Sequence, residues 1–451
     1  MSVSIAAKAL LYDRQADSGL VGTLFRQDEN KGAVFVDRVT VPIVDYASDR
    51  VDRTGALDGV EDGSYLVQLA LPNGEIMTEG FEVVQGEDTK LVVVIPHDGP
   101  HEWSSLQALT GQFAPGGMAY DRDVPHVDSG AADYGGLRRD PEHGFQLRFI
   151  DMESADARHS LLQEQALPRL ASLIAQDLSV PDAAGLLGVG AEVESTSEED
   201  KDFALFEFVR QGCIGDGAER GDFYFGPGTE MTRSYLLELS ARGASLICLP
   251  APWTRMGYDE TEIQLLLDKR SLESEPEYTL TIGDPMVNSA LGYIRNGALH
   301  EAARLIDFDA SRELLFNKIS SPLAATIGGY LLVLGLDRSA YQPNSENWKN
   351  WVDNLYGWFE WLPDGAILKS AKYFVLGDKD RDGALEALMA AYDRGLPFFT
   401  FGLNLMLEGM RRFANEGEVA AQERLPILEA IAAVTDPSHN FLTVQVSRHW
   451  P

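Results

Sequence analysis

The sequence predicts an α+β multidomain protein with an N-terminal β-sandwich, a second β-rich region and a C-terminal all-α array of helical hairpins. Three observations carry this. Over residues 1–96, apolar and polar side chains alternate in short runs, the period of half-buried strands. Beyond Asp284-Pro285 apolar residues recur every three or four positions, the period of helices packed on one side. Between these stretches, 97–144 is rich in Gly, Pro and Asp and keeps neither period, whereas strand-like runs return over 145–284. A chain of 451 residues exceeds what a single core commonly serves. The expected divisions are 1–96, 97–144, 145–284 and 285–451.

In the first region the strand candidates are VSIAAKALLY, GAVFVDRVTV, SYLVQLAL, GFEVVQ and KLVVVIP, with a hairpin turn at Pro72-Asn73-Gly74. The order Asp62-Gly63-x-Tyr65-x-Val67, Leu71-Pro72-x-Gly74 and Val83-x3-Glu87 resembles the prealbumin-like or carboxypeptidase-regulatory-like β-sandwich. That resemblance implies a spacer or docking module and no chemistry. The stretch 97–144 reads as a linker or extended arm. In the third region FQLRFIDM, FALFEFVR, DFYFGPG, SLICLPAPWTR, TEIQLLLDKR and YTLTIG read as strands, with one helix over Ser160 to Gln176. EVESTSEEDKD (192–202) reads as a solvated acidic loop open to a protease.

After Asp284 the predicted helices are 286–297, 299–307, 310–319, 322–335, 346–361, 364–376, 382–394, 397–414 and 417–434, and NFLTVQVSRHWP reads as a strand returning to a sheet. Two segments resemble tetratricopeptide repeats. In ALGYIRNGALHEAARLI, Tyr293, Gly297, Glu301 and Ala302 keep the Tyr-x3-Gly-x3-Glu-Ala spacing, in which a glycine turn ends one helix and a small residue admits the next. In DGALEALMAAYDRGLP, Ala384, Leu388, Ala391 and Pro397 follow the spacing of the repeat's second helix, behind a turn longer than that family uses.

WKNWVDNLYGWFEWLPDG holds four of the seven tryptophans. Trp348, Trp351, Leu355, Trp358 and Leu362 advance by three, four, three and four, one face of a helix, with Trp361 beside it. Two readings stand: a buried seam, each ring contributing about 2–3 kcal/mol, or an exposed aromatic anchor for a partner.

Composition narrows the function classes. With 37 basic and 70 acidic residues the net charge is −33, a field that repels DNA, RNA and anionic membranes and favours basic partners. No window reaches eighteen apolar residues without charge, and the start shows no basic leader before an apolar run. Two cysteines, Cys213 and Cys248, make neither a disulfide framework nor a zinc site. A cytoplasmic protein with reduced thiols and no cofactor is the expectation.

No catalytic motif emerges. Asp378, Asp380, Asp382 and Gly383 open like a calcium loop, but Met389 stands where a bidentate glutamate is required, and carboxylates at a helix N-terminus account for the same residues. His97 and His101 flank a turn without zinc-peptidase order. Asp284, His300 and Glu301 are the candidates for an alternative, an enzyme of unrecognised type at the β/α junction. SSPLAATIGGYLLVLG followed by NWVDNLYGWFEWLPDGAILKSAKYFVLGD is similar to bacterial accessory proteins encoded beside caspase-like or CHAT-type peptidases. The resemblance implies a substrate, inhibitor or adaptor of such a peptidase, in defence or stress signalling, and no functional residue. The leading reading is therefore a non-enzymatic protein-interaction module.

Overall fold

Alternating side chains in the first region demand a sheet with one face covered, and the computed structural model supplies it. The structure describes residues 2–9, 19–28, 32–45, 53–71, 76–95, 138–140, 145–152, 194–199, 203–209, 233–239, 243–250, 253–255, 259–260, 263–268, 277–282, 284–335, 347–377 and 379–447. They divide into two compact units, one drawn from Met1–His126, Glu199–Leu205 and Gln264–Asp307, the other from Val127–Glu198, Phe206–Ile263 and Phe308–Pro451.

In the first unit, β1 (Ser2–Ala9), β2 (Gly19–Asp28), β3 (Gly32–Asp45), β4 (Gly55–Asp58), β5 (Gly63–Ala70), β6 (Ile76–Val83) and β7 (Thr89–Val94) form one seven-stranded sheet, ordered β4-β1-β3-β2-β5-β6 with β7 on β1. The sheet folds over on itself. β1 is antiparallel to β4 over its first half and parallel to β3 over its last residues, while β7 runs parallel along its other edge. β3 is long enough to pair with β2 up to Pro42 and then with β1 from Ile43. The enclosed core draws Val3, Ile5 and Ala7 from β1, Leu20 and Leu24 from β2, Val41 from β3 and Val67 and Leu69 from β5. Strands β2 and β4 escaped the pattern because Gly22 breaks the apolar run of β2 and β4 is only four residues long. At Gly55 a Cβ would overlap the Thr40 carbonyl oxygen, so only glycine lets β4 pass that close to β3. The predicted turn at residues 72–74 lies outside the described residues.

The same unit holds the first helical pair, α1 (Pro285–Arg295) and α2 (Leu299–Leu305). Asp284 caps α1 by accepting the Val287 N–H at 3.3 Å. Gly297, at φ 73°, turns the chain, with the Ala298 N–H donating back to the Tyr293 carbonyl at 2.8 Å. Tyr293 docks α1 on the sheet: its hydroxyl donates to the Ala70 carbonyl at 2.5 Å and accepts the Val21 N–H at 3.2 Å, two residues that face each other across β2 and β5. Glu301 pairs with Arg38 at 3.3 Å, and fully buried Ala302 gives α2 its close approach.

The remaining strands are β8 (Arg138–Asp140), β9 (Phe145–Met152), β10 (Glu194–Glu199), β11 (Phe203–Val209), β12 (Arg233–Leu239), β13 (Gly243–Cys248), β14 (Thr254–Arg255), β15 (Asp259–Glu260), β16 (Ile263–Asp268), β17 (Glu277–Ile282) and β18 (Thr443–Ser447). Two expectations are corrected here. Part of the acidic stretch 192–202 is strand β10, next to β11 in its sheet, where backbone pairing prevails over the charge pattern. The end of the Gly/Pro/Asp stretch 97–144 is strand β8, antiparallel to β9. The helix expected at 160–176 and the strand at 222–228 lie outside the described residues. In the second unit β18, β13, β12, β9 and β8 make a five-stranded sheet, so the returning C-terminal strand pairs with β13.

The helices of that unit are α3 (Phe308–Phe316), α4 (Pro322–Tyr330, extended by a π-turn over Leu331–Gly335), α5 (Asn347–Trp358), α6 (Pro363–Ala371, with a π-turn over Lys372–Leu376), α7 (Arg381–Asp393), α8 (Thr400–Asn415) and α9 (Val419–Ala433). Consecutive helices pack in pairs, α3 on α4, α6 on α7 and α8 on α9. The apolar run on α4 is buried along its whole length. Its glycines set the spacing: a Cβ on Gly328 would lie 2.5 Å from the Ser311 carbonyl oxygen of α3, and one on Gly329 would lie 2.7 Å from Leu368 of α6. No helix of the described residues is long and apolar enough to cross a membrane.

Asp364, in the first turn of α6, has no exposed surface. Its Oδ1 accepts the Tyr330 hydroxyl at 2.6 Å and its Oδ2 accepts the Phe398 N–H at 2.7 Å. Burial beside that carboxylate pushes the Tyr330 phenol well above its ordinary value, so it stays a donor. Arg394 closes the end of α5, donating to the carbonyls of Tyr356, Phe359 and Leu362 at 3.1, 3.3 and 3.2 Å.

Two substitutions test this packing. Gly328→Ala forces α3 and α4 apart and costs about 1–3 kcal/mol. Tyr330→Phe leaves Asp364 short of a donor and costs about 1.5–3 kcal/mol. Both lower the midpoint of thermal unfolding followed by circular dichroism, and an unchanged midpoint in both would contradict the arrangement.

Candidate functional site

Helix α3 places Phe308, Arg312 and Phe316 four residues apart, hence in one stripe. Ser311 and Leu315 face the core, which turns that stripe outward. Helix α5 buries Trp348, Val352 and Leu355, followed by Phe359. Its seam therefore steps by four, three and four, one residue off the expected Trp348-Trp351-Leu355-Trp358 face. Trp351 and Trp358 consequently lie half-buried at the seam's border. Trp348 and Trp361 belong to the core, Trp361 standing edge-on to Phe359 and Phe398, which removes both from any surface.

The border residues meet the stripe of α3. The Phe316 ring, 59% exposed, stands edge-on to Trp351 at 5.1 Å. The Arg312 guanidinium lies 5.5 Å from the Phe308 ring centre and 5.7 Å from that of Trp351. Lys318 follows the end of α3 and points its ammonium back under the rings, at 5.9 Å from Phe316, 5.7 Å from Trp351 and 5.4 Å from Trp358. It donates to the Leu315 carbonyl at 3.3 Å and, more weakly, to that of Phe316 at 3.5 Å. Lys318 is buried and pairs with no carboxylate among the described residues. Burial lowers its ammonium to about 8. Arg312 has a loose ion pair with exposed Asp309 at 3.6 Å, and its buried Nε has no acceptor among the described residues. The result is an aromatic ledge carrying two cations.

Elsewhere the candidate residues have structural tasks. Asp380 caps α7 by accepting the Gly383 N–H at 3.0 Å, Asp382 lies on the surface 3.5 Å from Arg381, and Asp378 is outside the described residues. No cluster of three or more His, Cys, Asp or Glu suited to a metal occurs among the described residues. Asp284 is the α1 cap, Glu301 holds Arg38, and His300 is exposed. Cys248 is buried, whereas Cys213, His97 and His101 fall outside the described residues. Asp436 accepts from Ser438 and Gln445 and pairs with His439 at 3.4 Å. Burial pushes its carboxyl up, but His439 and Ser438 outweigh that and hold it below the usual range.

The helical array, its returning strand and the ledge set the frame for comparison with known families. Residues 289–449 match the Y4kD C-terminal domain. The match runs from within α1 to the segment just past β18, and so takes in the ledge and the Asp364 contacts. A search of curated proteins finds no match. The Y4kD-like region thus coincides with the part of the chain whose apolar residues the sequence assigned to stacked helices.

Burying Lys318 costs stability as long as the amine is charged. Its folded value of about 8 lies below the ordinary 10.5, so the unfolded chain binds the proton more tightly, and stability rises with pH between about 8 and 10.5. Lys318→Met removes that component. The difference between wild-type and variant unfolding midpoints is expected to be constant below pH 8 and to shrink above it. A difference independent of pH throughout would show that the amine is solvated in the folded state.

Proposed function

We propose that the chain is a non-enzymatic protein-binding module whose Y4kD-like helical region offers the Phe316–Trp351–Trp358 ledge to another protein. The observation that carries this is Phe316: a large ring, more than half exposed, leaning on a half-buried tryptophan and flanked by an arginine. Such aromatic and arginine clusters dominate binding energy at interfaces. Trp348 and Trp361 lie in the core. The carboxylates of the enzyme alternative, Asp284 and Glu301, are engaged in a helix cap and an ion pair, which accounts for them without chemistry.

The partner that fits the sequence resemblance is a caspase-like peptidase, toward which the chain acts as substrate, inhibitor or adaptor in a bacterial defence or stress system. The repeat-like hairpin at α1 and α2, with its Gly297 turn and small Ala302, is in keeping with a tetratricopeptide-type scaffold for such contacts. The cytoplasm, where these peptidases act on intracellular proteins, is the proposed location.

The test is co-purification of the tagged chain with a caspase-like peptidase from the same genome, comparing wild type with Phe316→Ala and Trp351→Ala. A complex, a single cut within 97–144, or inhibition of the peptidase supports the reading, and the ledge variants should weaken the complex by about tenfold or more. Absence of binding, cutting and inhibition together would rule it out.

A further inference from the structure

We infer that the ledge selects an acidic segment: an extended stretch of a partner protein lays an apolar or aromatic side chain against Phe316 and Trp351 and sets a carboxylate on Arg312. This rests on the protein-binding reading above and narrows it to one chemistry.

Arg312 is held by aromatic contacts. Its guanidinium lies against two aromatic rings, 5.5 Å from the centre of Phe308 and 5.7 Å from that of Trp351, contacts that restrict its freedom. A planar fork so constrained loses little freedom on binding a carboxylate, the anion its geometry matches. The side chain is 31% exposed and within reach of a partner, and its internal acid, Asp309, is 89% exposed and 3.6 Å away, a contact easily replaced.

Lys318 adds the second part. Its ammonium lies beneath Trp351, Trp358 and Phe316 and has only backbone carbonyls for acceptors among the described residues. It is too buried to touch a partner and acts by its field on whatever rests on the rings above. In a chain with 70 acidic residues, a buried cation with no carboxylate partner among the described residues marks a local potential opposite to the whole. The net charge of −33 bears on long-range encounter, but beyond roughly 8 Å physiological salt screens it, and at contact the two local cations decide. The same balance separates occupants. A nucleic acid would stack on the rings yet brings a charge with every nucleotide into an anionic surround. A peptide bringing one or two carboxylates beside an apolar side chain meets the cations without that penalty.

The test uses the full chain and three fluorescein-labelled peptides, Gly-Ser-Asp-Phe-Glu-Leu-Ser-Gly, its Asn/Gln counterpart and its Lys/Lys counterpart, read by fluorescence polarisation beside a single-stranded oligonucleotide. The acidic peptide is expected to bind about tenfold or more tightly than the other two. Arg312→Gln should abolish that preference, and Phe316→Ala, at an exposed position, should weaken binding without moving the unfolding midpoint. Equal binding of the acidic and amide peptides, no binding of any peptide, or tighter binding of the oligonucleotide would overturn the inference. Preference for the lysine peptide, lost in the same variants, would also overturn it while leaving the protein-binding reading intact. If peptidase capture is also indifferent to Phe316→Ala, the ledge itself is lost as the binding surface, and with it both conclusions.

Discussion

A buried carboxylate governs the helical unit. Asp364 has no exposed surface, and two short hydrogen bonds join it to Tyr330 on α4 and to the backbone at Phe398, just before α8. A charge in such a place is tolerated only when its oxygens are occupied, and here the N-terminal turn of α6 adds a favourable dipole. The consequence propagates through packing. For the phenol to reach the carboxylate, α4 must lie close to its neighbours, which is what Gly328 and Gly329 permit. For the backbone at Phe398 to reach it, the start of α8 must come in over Asp364, and Gly402 leaves the space: a Cβ there would stand 2.5 Å from Oδ1. One polar group thus sets the positions of α4, α6 and α8, and the aromatic rings around Tyr330, Phe399 and Phe401, fill what remains.

Much of the fold was legible in periodicity, and particular residues show where it was not. Each of the nine predicted helices after Asp284 has a counterpart among the described residues within a few residues of its bounds, because Pro285, Pro322 and Pro363 open helices and Gly297 and Gly377 close them in left-handed conformations. Strand β2 is broken by Gly22, and β4 spans four residues, too few for alternation to be read. β10 carries Ser, Thr and Glu, whose polarity masks a strand held by its neighbour's backbone. The sandwich took the form of a single folded-over sheet because β3 is long enough to serve both halves, a property of strand length that alternation does not report.

The candidate site was half visible. The tryptophans announced themselves, but their face came out one residue off: positions 348, 351, 355, 358 and positions 348, 352, 355, 359 both keep helical spacing. The choice between them depends on what packs opposite. Phe316, Arg312 and Lys318 were silent, although the four-residue spacing of Phe308, Arg312 and Phe316 was there to be read. Their meaning arises only when α3 ends beside α5, and the cation-bearing ledge belongs to neither helix alone.

Strand β18 has a consequence for how the second unit comes into being. It completes the sheet by pairing with β13, to which it is antiparallel from Gly243↔Ser447 to Ile247↔Thr443. On the ribosome β13 emerges long before β18, and every described helix of that unit is made in between. Until the late strand arrives, the outer edge of β13 displays unpaired amides, the kind of template on which nascent chains stick to one another. The order of synthesis therefore sets a window of vulnerability, which closes only when residues past 440 are free to dock, and chaperone demand is expected to concentrate there.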